Sequence, residues 1–436
     1  MKHASVLASV LCCILLPLAG ASASEAPQSI DAALQRAQAA HLPVLIDFQA
    51  QWCYSCYFMA THVLTGPQWD AIEKRIVFIE TDADSPDGAR WMEKLGVKAL
   101  PSYVVLDGNG VEMGRILAEQ PRAKFYPALE RILGGGDKLD SLKAQATKGS
   151  TTALADALAS YHARNQVQAG LDWYATLPPA RLKAAEADGQ AATWHARLQM
   201  EKAAKDKNTA QCVAAAQHAL AGDVGCDRYY VLDTLLQCSE KLPDAERKSL
   251  LAAQRPALNA LLDSQVFVAS PTCVDQRSAV FVSADLNKAI GNTTVEQAVL
   301  ARGIAAAQQA IGGDFRKDRN AADNLRVYLL RAGRTTDVDA LMPNLIAAYP
   351  DDYVYAYRYG RSLLDRGKAA EALPYLEQAS AKAFGVNRLG VASLRVKALI
   401  ALNRRSDAEK VVADALEANG PWFPEAAAKL KATLKS

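Results

Sequence analysis

Cys53 and Cys56 are separated by two residues in the run Trp52-Cys53-Tyr54-Ser55-Cys56, which follows closely on the apolar stretch Val44-Leu45-Ile46-Asp47-Phe48. Two thiols at that spacing can form and break an intramolecular disulfide, and their place between a strand pattern and a helix pattern points to redox exchange. Backbone N–H groups at a helix N-terminus stabilise negative charge, which lowers the pKa of the first thiol and populates the thiolate that attacks disulfides. Cys53 is therefore the expected nucleophile. Cys56, one helical turn further on, is close enough to close the ring and release a substrate from a mixed disulfide, which makes it the expected resolving thiol. Two other uses of Cys-x-x-Cys are disfavoured. Tetrahedral zinc ligation needs a second pair at similar spacing, and none occurs; heme attachment needs a His after the second Cys, where Tyr57 stands. No metal is expected, and no cofactor beyond the redox-active disulfide itself.

The elements around this pair alternate. Ile30 to Ala40 reads as an Ala-rich amphipathic helix, Val44 to Phe48 as a buried strand, and Cys53 to about Leu64 as the helix carrying the thiols. Ile76-Val77-Phe78-Ile79 is the next strand, followed by a helix from about Gly88 to Leu95. Tyr103-Val104-Val105-Leu106 turns through Asp107-Gly108-Asn109-Gly110 into Glu112 to Ile116, a hairpin signal. Pro121 to Leu133 closes the unit as a helix before Gly134-Gly135-Gly136. Strands and helices in this order, ending in a hairpin, imply a mixed sheet covered on both faces.

The segment Val44-Leu45-Ile46-Asp47-Phe48-Gln49-Ala50-Gln51-Trp52-Cys53-Tyr54-Ser55-Cys56 and the later Gly96-Val97-Lys98-Ala99-Leu100-Pro101-Ser102-Tyr103 resemble the two defining segments of the thioredoxin superfamily. Within it the chain is similar to the periplasmic thioredoxin-like domain of DsbD-type transmembrane thiol reductases, which share the Asp-Phe/Leu-x-Ala-x-Trp-Cys-x-x-Cys pattern and an acidic stretch, here Glu80-Thr81-Asp82-Ala83-Asp84. The resemblance implies disulfide exchange at the Cys pair. It also implies that Pro101 is a cis-proline facing the pair, with the backbone of Leu100 and the Tyr54-Ser55 insert contacting an extended substrate.

Asp47 matches the family's buried acid beneath the resolving cysteine. A carboxyl flanked by Ile46 and Phe48 in a central strand should have its pKa raised by desolvation, which lets it exchange a proton with Cys56 near neutral pH; a water-reached strand-end aspartate is the plainer alternative. Trp52 shields the pair or simply packs. Two departures stand out: Tyr54-Ser55 replaces the Gly-Pro of thioredoxin itself, and Tyr57 stands where a Lys is usual, which leaves the redox potential and partner surface open.

Lys2 and His3 precede an apolar stretch from about Val6 to Leu18, and Ala19-Gly20-Ala21-Ser22-Ala23 offers small-residue cleavage ending at Ala21 or Ala23, the pattern of a secretory signal peptide. The stretch is shorter than the ~20 residues of a spanning helix, and no later segment reads as transmembrane. Cys12 and Cys13 would leave with it. Removal through Ala23 takes one Lys and no acid, so the side-chain charge falls from +2 to +1. That balance gives no case for nucleic acid or anionic membrane as a partner. A soluble, exported, periplasmic protein is expected.

Beyond Asp137 the strand pattern almost disappears. Gly333, Gly367 and Asn403 fall at inter-helix turns 34 and then 36 residues apart, and small or apolar residues recur in register at Gly360, Ala372, Ala379 and at Val396, Ala408, Ala415. This resembles tetratricopeptide repeats over residues 319–352, 353–388 and 389–421, with the earlier helices a less regular part of the same α-solenoid. Helical pieces are also expected at Ala153 to Ala163, Ala191 to Lys202, Thr209 to Ala221 and Tyr229 to Glu240. Gln265-Val266-Phe267-Val268 is strand-like or a loop. The whole reads as a signal peptide (1–23), an α/β thioredoxin-like domain (24–136), an irregular helical region (137–318) and an all-α repeat domain (319–436).

Cys212, Cys226, Cys238 and Cys273 remain, an even number that favours structural disulfides in an oxidising compartment with three possible connectivities. If Cys212 opens one helix and Cys238 ends its antiparallel neighbour they lie side by side, which leaves Cys226 for Cys273. Cys226 cannot pair with Cys238 along one straight helix, because twelve residues span about 18 Å. His62 and His218 have no second ligand spaced with them and read as surface or packing residues.

Together these features point to an exported thiol-disulfide oxidoreductase acting on protein disulfides, with reduction favoured by the DsbD-like similarity and by the lack of a His between the cysteines. A reductase needs electrons, and without a nucleotide or flavin motif the implied donor is a DsbD-type membrane thiol reductase. The alternative is an assembly or adaptor protein whose repeats bind a client and whose thiols are accessory.

Overall fold

The computed structural model describes residues 28–435. The signal peptide expected over residues 1–23 lies outside them. Strand β1 (Val44–Gln49) follows helix α1 (Ile30–Ala40), whose N-terminus is capped by Ser29 accepting from the Ala32 amide at 3.2 Å. The thiol helix α2 (Tyr54–Phe58) runs on as a π-helical turn, Met59–Val63. Then come α3 (Gly66–Glu73), β2 (Val77–Asp82), α4 (Pro86–Leu95), β3 (Ser102–Leu106), β4 (Glu112–Leu117) and α5 (Arg122–Leu133). The sequence pattern gave no sign of α3, which opens on Gly66-Pro67.

The sheet order is β2-β1-β3-β4, with β1 parallel to β2 and antiparallel to β3, and β3 antiparallel to β4. Alternation along β1 sends its residues into two cores. Leu45 joins Met59, Tyr103 and Phe125 on one face, while Val44, Ile46 and Phe48 join Ile30, Trp91 and Val104 on the other. All five residues Val44 to Phe48 are buried, so this strand sits in the middle of the sheet with both faces covered. Each fully buried Leu, Ile or Phe contributes about 1.5–3 kcal/mol, and this fixes the end of β1 from which the thiols project. The hairpin between β3 and β4 is held by Asp107, whose Oδ1 accepts from the Asn109 and Val111 amides at 2.9 and 3.0 Å.

From Leu139 to Thr433 the described residues are helical and connected by turns. Gln265-Val266 belongs to a π-helical turn, Leu262–Val266, rather than to a strand. Three successive helix pairs, Arg319–Arg331 with Thr335–Ala348, Val354–Asp365 with Ala369–Ser380, and Gly385–Ala401 with Arg405–Asn419, precede a last helix, Pro424–Thr433. Gly333, Gly367 and Asn403 hold positive φ (71°, 76° and 60°) at the turns within these pairs. Gly360 shows why small residues recur: a Cβ there would stand 2.7 Å from Leu376 of the paired helix. Among the described residues no helix is long and apolar enough to cross a membrane.

Candidate active site

Cys53 and Cys56 are joined as a disulfide with their Cα atoms 5.2 Å apart. Cys53 keeps extended backbone and caps α2, its Sγ accepting from the Cys56 amide at 3.1 Å, while its own amide donates to the Ala50 oxygen at 3.0 Å. The sulfur thus occupies the place of a side-chain N-cap, where main-chain donors converge on developing negative charge. Ala50, Ala83 and Leu100 pack around the pair. The Leu100–Pro101 peptide is cis, and the Pro101 oxygen accepts from the Ala118 amide just beyond β4 at 3.0 Å.

Two carboxyl groups are buried close by. Asp47 pairs with Tyr103 across β1 and β3, and its Oδ1 has no hydrogen-bond partner. Burial, and after it the negative charge of Glu80, holds its carboxyl well above the usual range. Glu119, one residue past Ala118, is buried with neither carboxylate oxygen partnered, and burial, followed by Asp275, raises its pKa strongly as well. Sequence reasoning missed Glu119, because an acid after a hairpin strand carries no local sign that it faces inward. Asp82, in the acidic stretch after β2, is pushed up to about 6, burial being the main cause.

Helices distant in sequence close over the redox turn. Asn320 donates to the Tyr54 oxygen at 2.9 Å and Arg358 to the Trp52 oxygen at 2.8 Å, so main-chain groups on both sides of Cys53 are held by the helical segment. The Arg277 guanidinium lies 3.5 Å from the centre of the Tyr54 ring, and Arg319 lies 4.0 Å from that of Tyr57. The two tyrosines that depart from the usual motif are thus among the contacts with this segment. Burial, and then Asp275, pushes the Tyr54 phenol up to about 12.

Trp52, 40% exposed, donates from its indole to Asp84 at 2.6 Å; Asp84 also accepts from the Asn387 side chain at 2.8 Å, and its main-chain oxygen from the Val386 amide at 3.1 Å. The approach is tight enough that a Cβ on Gly385, whose φ is 52°, would lie 2.0 Å from the Asp84 oxygen. Enclosed in this way, Cys53 is 4% and Cys56 6% exposed, and Ser55 between them is buried.

Behind this contact lies a charge cluster. Asp323, fully buried, accepts from Arg277 at 2.6 Å, Arg326 at 2.9 Å and Arg358 at 2.5 Å. Burial alone would raise its pKa, but the three guanidinium groups hold it well below the usual carboxylate range.

The remaining cysteines form Cys212–Cys238 and Cys226–Cys273, with Cα separations of 6.1 and 5.3 Å. The first ties helix Thr209–Ala221 to helix Arg228–Cys238, and Lys124 of α5 reaches to 3.4 Å from the Cys226 sulfur. His62 stacks on Phe58 and points Nε2 at Asp318, 3.5 Å away.

A protein-family model described as Thioredoxin-like matches residues 25–108. Over 108 residues the chain is 28% identical to the thiol:disulfide interchange protein DsbD of Ralstonia nicotianae, a match covering 24% of this chain and 18% of that protein. It is 25% identical over 142 residues to the thiol:disulfide interchange protein TxlA of Synechococcus elongatus, covering 30% of this chain and 72% of that one. Thioredoxin of a Synechocystis species is 28% identical over 111 residues, which are 25% of this chain and 99% of the relative. The first of these relatives is therefore spanned over less than a fifth of its length. The sheet-containing part of the chain is thioredoxin-like, and a long all-helical part follows it.

Proposed function

We propose that the protein is an exported thiol-disulfide oxidoreductase that reduces protein disulfides in the periplasm through Cys53 and Cys56. The observation that carries this reading is the disulfide at the start of α2, packed against Leu100 beside the cis Pro101, in the part of the chain that matches the thioredoxin-like model. Cys53 attacks a substrate disulfide as thiolate and forms a mixed disulfide. Cys56 then attacks Cys53 and releases the reduced substrate, and Asp47 takes the proton that Cys56 gives up. Trp52 and Leu100 border the approach to the pair. Regeneration requires an external dithiol, for which a membrane thiol reductase of the DsbD type is the proposed donor. The helix pairs from Arg319 onward are proposed as tetratricopeptide-like repeats.

Insulin reduction by the mature protein with excess dithiothreitol tests this reading: turnover should be lost in Cys53→Ser and in Cys56→Ser. One observation favours a second reading, an assembly or adaptor protein with accessory thiols: both sulfur-bearing residues are enclosed by the chain's own helices. For that reading, the double variant would keep client binding and cellular phenotype while losing insulin reduction.

A further inference from the structure

Arg277, Arg326 and Arg358 share the single carboxylate of Asp323, so within this cluster three cations meet one anion and two positive charges have no counter-charge. The cluster belongs to the helical segment, yet two of its members reach the redox turn. Arg277 covers the Tyr54 ring, and Arg358 bonds the Trp52 oxygen, the carbonyl of the peptide that carries the Cys53 amide. Guanidinium groups do not titrate at working pH, and a charge removed from bulk water is weakly screened by salt. We propose that this arginine cluster is a working part of the redox centre, stabilising the Cys53 thiolate and making the Cys53/Cys56 pair more oxidising than the thioredoxin-like part would be by itself.

The other charged groups around the turn do not reproduce this effect. On the acidic side, Asp84 takes the Trp52 indole, Asp275 the Tyr54 hydroxyl, and Asp82, at about 6, is mostly ionised at neutral pH, all three opposing the cluster, while burial pushes Asp47 and Glu119 toward their neutral forms. On the basic side, Arg319 is matched by its ion pair with Asp352, and Lys98, before the cis proline, is exposed to water. Tyr54 and Tyr57 stay protonated at neutral pH, as an ordinary phenol does, and burial raises both further. The charges that Arg358 and Arg277 bring to the turn, sharing one carboxylate with Arg326, are thus the least compensated of those touching it.

The sign of the effect follows from the reaction. Reduction by glutathione breaks the Cys53–Cys56 bond, and two glutathione thiols supply two electrons and two protons as they join in glutathione disulfide. Negative charge on Cys53 exists only in the reduced form, so a cation that stabilises it favours the dithiol and raises the potential. Arg358 and its neighbours are positioning residues in this scheme.

The inference rests on the exchange activity proposed above, and the test separates the two. Equilibration with glutathione and pH titration of thiolate absorbance are measured on the full mature protein, on Arg358→Gln and on Asp323→Asn. In Arg358→Gln the equilibrium should move about three- to tenfold toward the disulfide, tenfold being about 30 mV, and the Cys53 pKa should rise. In Asp323→Asn, which removes the only anion of the cluster, both should move the opposite way. Shifts of the same sign in the two variants, or none in either, overturn the proposal. If Arg358→Gln loses its cooperative unfolding transition, Arg358→Lys takes its place beside Asp323→Asn and should keep the wild-type potential within about twofold in the equilibrium constant, a larger shift counting against the proposal. A wild-type pair that does not exchange with glutathione at all removes the activity itself, and the inference with it.

Discussion

Arg358 donates to the main-chain oxygen of Trp52 at 2.8 Å, so a residue of the fifth-from-last long helix holds the peptide that leads into Cys53, 306 positions away in sequence. The redox turn is an internal contact of this protein, and the helices beyond Asp137 take part in building its site. The helical segment, whose repeats were expected to bind a partner, also closes over the chain's own thiols.

Removing the contact should loosen the two parts without touching the sulfurs. Gly385→Ala places a methyl group where the Asp84 oxygen stands and forces a non-glycine residue to φ 52°. A loss of about 1–3 kcal/mol in urea unfolding is expected, with a change in Trp52 fluorescence as its indole bond to Asp84 weakens. An unchanged midpoint and spectrum would mean that the contact does not persist in solution.

Asp47 gives a pH dependence with a defined sign. Its folded-state pKa is raised, so the native state holds a proton that the unfolded state releases near pH ~3.9. The favourable contribution of the protonated carboxyl is fully present below that value and is lost as pH rises toward the folded-state pKa. Asp47→Asn should therefore gain stability over wild type at neutral pH, by about 1.4 kcal/mol for each unit by which the native pKa is raised, and the advantage should vanish in acid. From the proton-acceptor role proposed for Asp47, the same variant should slow insulin reduction above neutral pH. Denaturation midpoints and turnover measured across pH check the two outcomes separately.

Glu119 should behave likewise in stability. With neither oxygen partnered, Glu119→Gln is expected to stabilise the protein at neutral pH and to leave it unchanged in acid, read as melting temperature against pH.

The Cys212–Cys238 bridge closes a loop of 26 residues. The double Cys→Ala variant at these positions should lose about 3–4 kcal/mol of stability, while the reduction potential of the Cys53/Cys56 pair stays unchanged. A shift in that potential would instead implicate the distal cysteines in electron transfer.

Much of the thioredoxin-like part was legible because its signals are local. The apolar run Val44 to Phe48 reads as a buried strand, Cys-x-x-Cys follows it closely, and Asp107 to Gly110 carries turn chemistry between two strand patterns. The turns at Gly333, Gly367 and Asn403 were readable for the same reason, since residues that tolerate positive φ recur between helix patterns. The contact between redox turn and helices was not legible. Asn320, Arg358 and Asn387 lie more than 260 residues from their partners, and an arginine on a helix looks the same in sequence whether it faces water or a tyrosine. Tyr54 and Tyr57 did stand out as departures from the motif, and their rings now account for it by meeting Arg277 and Arg319.

Reversible dithiol chemistry at Cys53 and Cys56 is what the proposed function requires. Equilibrating the purified mature protein across a series of glutathione buffers, with alkylation and mass spectrometry to assign each cysteine, tests this. A single two-electron transition confined to Cys53 and Cys56 is expected, nearer to the ~−270 mV of thioredoxin than to the ~−120 mV of a strong oxidant. A pair that stays oxidised throughout the series, or one that titrates close to the strong-oxidant value, would contradict the proposed reductase.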